Sequence, residues 1–128
     1  MNFDITGDLN PATWFDFEDG GRVAVRLCAG GDYRNIRKQV TKKKAEYRNA
    51  QRFEVQEVNE DLLNELLWDF CIVGWENLFD KNGKDIPCTK ENKILLMGHS
   101  IKFSNFVTTC LDKLSSDQRD REEEVSKN

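Results

Sequence analysis

The chain has 128 residues, of which 38% are hydrophobic and 33% charged, and its formal net charge is −4. This length fits one domain with its own core, so we expect a single domain over residues 1–128. No apolar run approaches the ~18 residues that a membrane-spanning helix needs. The amino-terminal segment also lacks the basic-then-apolar layout of a signal peptide. The sequence therefore predicts a soluble protein, with no membrane partner, that stays in the compartment where it is made.

Near the amino terminus, residues 12–18 and 22–28 alternate between apolar and polar side chains. Asp19-Gly20 lies between them and supplies the positive backbone angles of a tight turn. We predict a β-hairpin over residues 12–28 with one apolar face. A lone hairpin is marginally stable, so this one must pack on helices or extend a sheet with another copy.

The rest of the chain shows helical periodicity. A first helix is predicted from Asp32, as its N-cap, to about Gln51, and a second from Asn59 to Phe79. A third runs from Thr89, also an N-cap, to Met97, and a last one ends near Ser116. The fold class predicted from these patterns is mainly α with an N-terminal β-hairpin, an α+β arrangement whose helical part spans residues 32–116. Residues 117–128 form a charged tail, either a solvated helix end or disordered.

The stretch Asp80–Glu91, which includes the 80–88 connector, has the length and the terminal acids of a calcium-binding loop. Lys84 stands where an oxygen ligand is required, and the glycine is displaced to position 83. We therefore interpret the segment as a turn between the second and third helices.

Reactive groups are sparse in the sequence. The cysteines Cys28, Cys71, Cys88 and Cys110 are widely spaced, and His99 is the single histidine. That spacing favours buried reduced thiols over a zinc site. We expect no catalytic residue, no metal and no cofactor, hence no enzyme.

Charge is segregated along the chain. Residues 54–69 contain six acids and no base. Residues 34–52 contain eight bases and a single acid, Glu46. Such segments can pair within the chain or between copies, so self-association is expected. A nucleic-acid interface is the alternative, but the pI of about 5.1 disfavours it. The basic surface comprises Arg34, Arg37, Lys38, Lys42, Lys43, Lys44, Arg48 and Arg52.

Large apolar side chains recur at spacings of three and four on a second face of the predicted 59–79 helix. They either fill the core or form a partner-binding surface, since aromatic side chains carry much of the binding energy at interfaces. Two aromatic residues of the last helix are added to this hypothesis. The candidate partner-binding residues are Trp68, Ile72, Trp75, Phe79, Phe103 and Phe106.

The segment "IVGWENLFDKNGKDIPCTKENKILLM", residues 72–97, reads as an aromatic W-x-x-L helix, a glycine turn, I-P-x-T-x-E-N and a leucine-rich helix. With the F-x-x-F-V helix and charged tail that follow, it resembles the tail assembly chaperones of long-tailed bacteriophages and prophages. The family pattern falls on Trp75, Leu78, Gly83, Pro87, Thr89, Glu91 and Asn92. Gly83, Pro87 and Thr89 are interpreted as turn and cap residues.

The resemblance implies a chaperone of tail assembly in the cytoplasm of the bacterial host. Its partners would be the tape measure protein, tail tube subunits and a frameshifted longer form of itself. Two alternatives stay open. One is a small phage structural protein, such as a head–tail connector or minor tail protein. The other is a nucleic-acid-binding module that uses the basic helix over residues 34–52.

Overall fold

A computed structural model describes residues 1–3, 5–7 and 9–126 of the chain. Within these residues the fold is α+β, with helices and two antiparallel sheets. A short 3-10 turn, Glu18–Gly20, joins the first two strands. The elements are β1 (Thr13–Asp16), β2 (Arg22–Val25), α1 (Gly30–Gln39), β3 (Thr41–Arg48), β4 (Gln51–Val58), α2 (Glu60–Cys71), β5 (Ile72–Glu76), α3 (Lys90–His99) and α4 (Ile101–Ser126).

The first sheet has the strand order β1-β2-β5. β1 and β2 form the predicted hairpin, with Phe15 opposite Val23, and Asp19 and Gly20 adopt the positive φ angles of the turn. On its other edge β2 pairs antiparallel with β5, where Val23 lies opposite Trp75. β2 is therefore the central strand, although β5 is distant in sequence.

The main core lies between this sheet and α4. One helical stripe of α4 packs on the buried side chains of β2 and β5, because residues three and four apart share a helix face. The buried members of this cluster are Val23, Val25, Ile72, Trp75, Phe103, Val107, Cys110 and Leu114. A second, smaller cluster joins α1 to α2 through Ile36, Val40 and Leu63.

β3 and β4 form the second sheet, a hairpin of two eight-residue strands that we call the arm, residues 41–58. Its register runs from Thr41 opposite Val58 to Arg48 opposite Gln51. Asn49 and Ala50 close it with φ angles of 50° and 63°. Positive φ at both central residues is the feature of a type I′ turn, whose twist matches that of the strands.

The fold class predicted from sequence is wrong, because strands occupy the middle of the chain as well as its amino terminus. The predicted helix 32–51 ends at Gln39, and its remainder forms the first half of the arm. Its N-cap is Ala29, and Asp32 lies in the first turn instead. β-branched Val40 and Thr41 disfavour a continued helix, and the ladder with β4 supplies backbone partners for the strand.

The predicted helix 59–79 is also wrong in its second half. α2 ends at Cys71 and β5 follows without a loop. The free edge of β2 offers hydrogen bonds and a buried face to residues 72–76, and this tertiary pairing overrides the helical spacing of their apolar side chains. The aromatic W-x-x-L segment therefore begins in a strand, with Trp75 and Glu76 in β5, and Asn77 and Leu78 follow the strand. The 80–88 connector leads from this strand segment to a helix.

One local signal in the carboxy-terminal half, the Thr89 N-cap, is confirmed. The Thr89 hydroxyl accepts a hydrogen bond from the Asn92 backbone N–H at 3.2 Å and caps α3. The Ser100 hydroxyl accepts one from the Phe103 backbone N–H at 3.1 Å where α4 begins. Residues 117–126 of the charged tail belong to α4, and residues 127–128 lie outside the described part of the chain. None of the helices in that part is both long and apolar enough to span a bilayer.

Candidate functional site

Three of the six candidate partner-binding residues are core residues. Ile72 is fully buried, and Trp75 and Phe103 are nearly so. The Trp75 indole N–H donates to the Ile86 carbonyl at 2.6 Å, and its ring meets Phe103 edge-on at 5.8 Å between centroids. These side chains hold β5, the 80–88 connector and α4 together, so they are not available to a partner.

The other three candidates lie on three different segments of the fold. Phe106 is half-buried and packs on Phe17, with 4.5 Å between ring centroids. Trp68 is half-buried on α2, and Phe79 is 52% exposed between β5 and the 80–88 connector. The six candidates therefore differ in burial, with three in the core and three half-buried or exposed.

The basic residues lie on two elements instead of one helix. Arg34, Arg37 and Lys38 are exposed on α1. The remaining five are exposed on the arm, and all but Arg52 of these lie on β3. The predicted basic helix ends at Gln39, and the rest of its charge is carried mainly along one strand of the arm: Lys42, Lys43, Lys44 and Arg48.

The arm is exposed along most of its length. Each strand has eight residues, which at about 3.3 Å per residue gives a length of roughly 26 Å. Most of its side chains are exposed, including Tyr47 at 72% and Phe53 at 45%. Its root is anchored where Val58 packs on the α1–α2 cluster. The arm thus presents aromatic side chains that belong to neither core cluster of the described residues.

Both edges of the arm present backbone groups to solvent. A two-residue turn makes the pair that closes it a hydrogen-bonded one, and such pairs then alternate along an antiparallel ladder. The bond from the Asn59 amide to the Val40 carbonyl, 2.9 Å, continues this alternation at the root. Residues 43, 45 and 47 of β3 and 52, 54 and 56 of β4 consequently direct their N–H and C=O groups outward. Those groups are a template for another strand.

The two edges differ in charge. β3 carries four bases and Glu46, whereas β4 carries Arg52, Glu54 and Glu57. One ion pair crosses between the strands, from Lys44 to Glu57 at 3.8 Å, and Arg48 pairs with Glu46 at 3.2 Å within β3. The basic and acidic segments therefore meet within the chain, and β3 retains an excess of positive charge.

The cysteine thiols are not activated. Burial raises the pKa of Cys71 to about 11, and it also raises the pKa of Cys28, Cys88 and Cys110. A raised pKa keeps a thiol protonated at neutral pH and therefore a poor nucleophile. Within the described residues no three metal-ligating side chains come together.

Sequence reasoning missed the arm. One signal could have indicated it: β-branched or aromatic residues stand at positions 40, 41, 47, 53, 55 and 58, on both sides of the Asn49-Ala50 pair. Such residues favour strands, and asparagine tolerates a positive φ. The run of lysines obscured this pattern, because charged side chains suit an exposed helix equally well.

Comparison with known proteins gives one match. The family model described as "YdaY prophage protein" matches residues 30–128, which include the arm and all helices given above. No curated protein and no solved structure matches the chain.

Proposed function

We propose a protein-binding role for this chain, which belongs to the YdaY prophage protein family. In this proposal it acts without catalysis, as a chaperone of prophage tail assembly. The observation that carries the proposal is the arm, a ribbon with open backbone edges and uncovered aromatic side chains. Such a ribbon can hold a partner that has not yet reached its own folded or assembled state.

The β3 edge suits an extended segment of a client protein. In strand addition, the client backbone pairs with an exposed edge, and pockets or charges beside that edge give specificity. Lys43, Ala45 and Tyr47 would supply the backbone groups, and Tyr47 an aromatic contact. The lysines of β3 favour a client segment that is neutral or acidic over one that is basic.

The proposed client is the tape measure protein, with recruitment of tail tube subunits and pairing with a frameshifted longer form of the chain as associated steps. Membership in a prophage family supports this choice. The proposal also draws on the sequence resemblance of residues 72–97 and 103–128 to tail assembly chaperones. The proposed place of action is the cytoplasm of the bacterial host.

A pull-down of the tagged full-length protein from cells that produce the phage tests this function. Ala45 and Glu54 lie directly opposite each other, and both direct their backbone groups outward. Proline removes an N–H and is tolerated at outward positions of edge strands. Ala45→Pro should therefore block the β3 edge and leave the arm's own ladder intact, with Glu54→Pro as the matched control on β4.

The expected result is recovery of the tape measure protein with tail tube subunits, reduced about tenfold by Ala45→Pro and unaffected by Glu54→Pro. Purified particles should lack the chain. Its presence in the particles would overturn the proposal in favour of a structural role as a connector or minor tail protein. Recovery of nucleic acid that dissociates steeply with salt would overturn it in favour of a nucleic-acid-binding module.

A further inference from the structure

We infer that the β4 edge of the arm is the interface of a homodimer, in which two copies pair arm to arm about a two-fold axis. This inference concerns the edge opposite to the one assigned to a client, and it does not depend on the client's identity. It follows from the shape of the fold, the charge of each edge and the register that β4 can adopt with itself.

The rest of the fold, residues 9–40 and 59–126, is called the body. Its size determines which dimer arrangements are possible. A domain of this size has a radius of gyration of about 13 Å. Two arms pointing the same way in one sheet would bring the bodies within about 10 Å, twice the strand spacing. The bodies would overlap. With the bodies at opposite ends, a closed two-fold pair joins each edge to its own copy, either β3 to β3 or β4 to β4.

The β3 edge is poorly suited to such a pair. It carries Lys42, Lys43, Lys44 and Arg48 against one acid, so two β3 strands would place like charges side by side. Lysines on an edge strand are also a common means by which proteins prevent edge-to-edge association. The β3 edge therefore repels its own copy.

The β4 edge is self-complementary. If Phe53 lies opposite Phe53 of the second copy, then Arg52 lies opposite Glu54 on both sides of the axis, and Gln51 opposite Val55. Residues 52 and 54 direct their backbone groups outward, so they form hydrogen-bonded pairs across the axis. Phe53 then falls in a non-hydrogen-bonded pair, where cross-strand side chains approach most closely. Two ion pairs would flank one aromatic pair.

Exposure and charge at these positions agree with the inference. Phe53 remains 45% exposed within the described part of the chain. A second copy would bury more of its ring. The ion pairs found within the arm involve neither Arg52 nor Glu54. Pairing would also turn a two-stranded ribbon, which is marginally stable, into a four-stranded sheet.

Sedimentation equilibrium of the full-length protein, from low to high micromolar concentration, tests the dimer. Arg52→Glu places like charges at both ion pairs and should weaken dimerisation by about tenfold or more. The charge swap Arg52→Glu with Glu54→Arg recreates the two pairs in reverse and should restore wild-type dimerisation. Glu54→Pro should abolish the dimer, and Ala45→Pro should leave it unchanged.

A monomer at every concentration would overturn the inference. So would a dimer that survives Glu54→Pro, or a charge swap that fails to restore it while hydrogen exchange shows the arm still formed. The two proline variants also separate this inference from the proposed function. Loss of the client with Ala45→Pro concerns the β3 edge alone, and loss of the dimer with Glu54→Pro concerns the β4 edge alone.

Discussion

The body of the molecule and its arm are held together in different ways. In the body, Val23, Val25 and Ile72 are fully buried, and α4 covers the sheet that contains them. In the arm, backbone hydrogen bonds and cross-strand side-chain pairs hold the two strands together, while Tyr47 and Phe53 remain in contact with water. The body therefore supplies stability and the arm supplies accessible surface, an arrangement in which binding elements come from the less stable part of a fold.

The largest effect should come from the body. Trp75→Ala removes a buried ring and its hydrogen bond to Ile86, and we expect it to lower the free energy of unfolding by about 3–5 kcal/mol. Urea denaturation measures this. Trp14→Ala is the control, because the Trp14 side chain is 42% exposed. It should lower the free energy of unfolding by less than half as much as Trp75→Ala. Equal losses would contradict the assignment of Trp75 to the core.

An intermediate effect is expected at the contact between α2 and α3. The buried Lys93 ammonium donates to the Asp69 carboxylate at 3.0 Å and to the Asp69 carbonyl at 3.2 Å. Asp69→Ala leaves that ammonium with one partner and should cost about 2 kcal/mol, because charge-assisted bonds contribute ~1.5–3 kcal/mol. Lys93→Met keeps an apolar stem and should cost less. The reverse order in urea denaturation would contradict this account.

A smaller effect, confined to the arm, is expected at its turn. Ala50 has a φ of 63°, a region that costs an alanine roughly 1 kcal/mol and a glycine little. Ala50→Gly should therefore slow amide hydrogen exchange in the arm by about fivefold and leave the body unchanged. Asn49→Gly is the matched control with a weaker effect, since asparagine tolerates this region. Faster exchange in Ala50→Gly would argue against the type I′ turn.

The smallest effect on stability should come from Phe53→Thr. The side chain is exposed and threonine keeps strand propensity, so we expect less than about 0.5 kcal/mol in urea denaturation. Sedimentation should nevertheless show a weaker dimer. A loss of stability as large as that of Trp75→Ala would mean that Phe53 belongs to a core, which would remove the distinction between arm and body.

The parts of the fold that the sequence predicted correctly depend on local chemistry. The hairpin at 12–28 has alternating side chains and an Asp-Gly turn, and α3 begins at a threonine cap. β5 depends on a distant partner. Its spacing with Trp68 suits a helix, and the pairing with β2 that makes it a strand cannot be read from residues 72–76 alone.

The arm was missed for a different reason. Periodicity reveals a strand when one face is buried, and the arm is solvated on both faces. The candidate site, the arm, was predicted only in part, again because its strands are solvated on both faces. Its basic residues were identified, but the ribbon that presents them was not, and the aromatic residues proposed as a surface proved in part to be core.

The central position of β2 has a consequence for any shorter version of this protein. The family match begins at Gly30, the first residue of α1, and so leaves out both strands of the first hairpin. A fragment that begins at that point would retain α1 to α4 and the arm, but β5 would lose β2, the strand with which it pairs. Ile72, Trp75 and Phe103 would then face water, and the fragment should aggregate unless another chain supplies the missing strand.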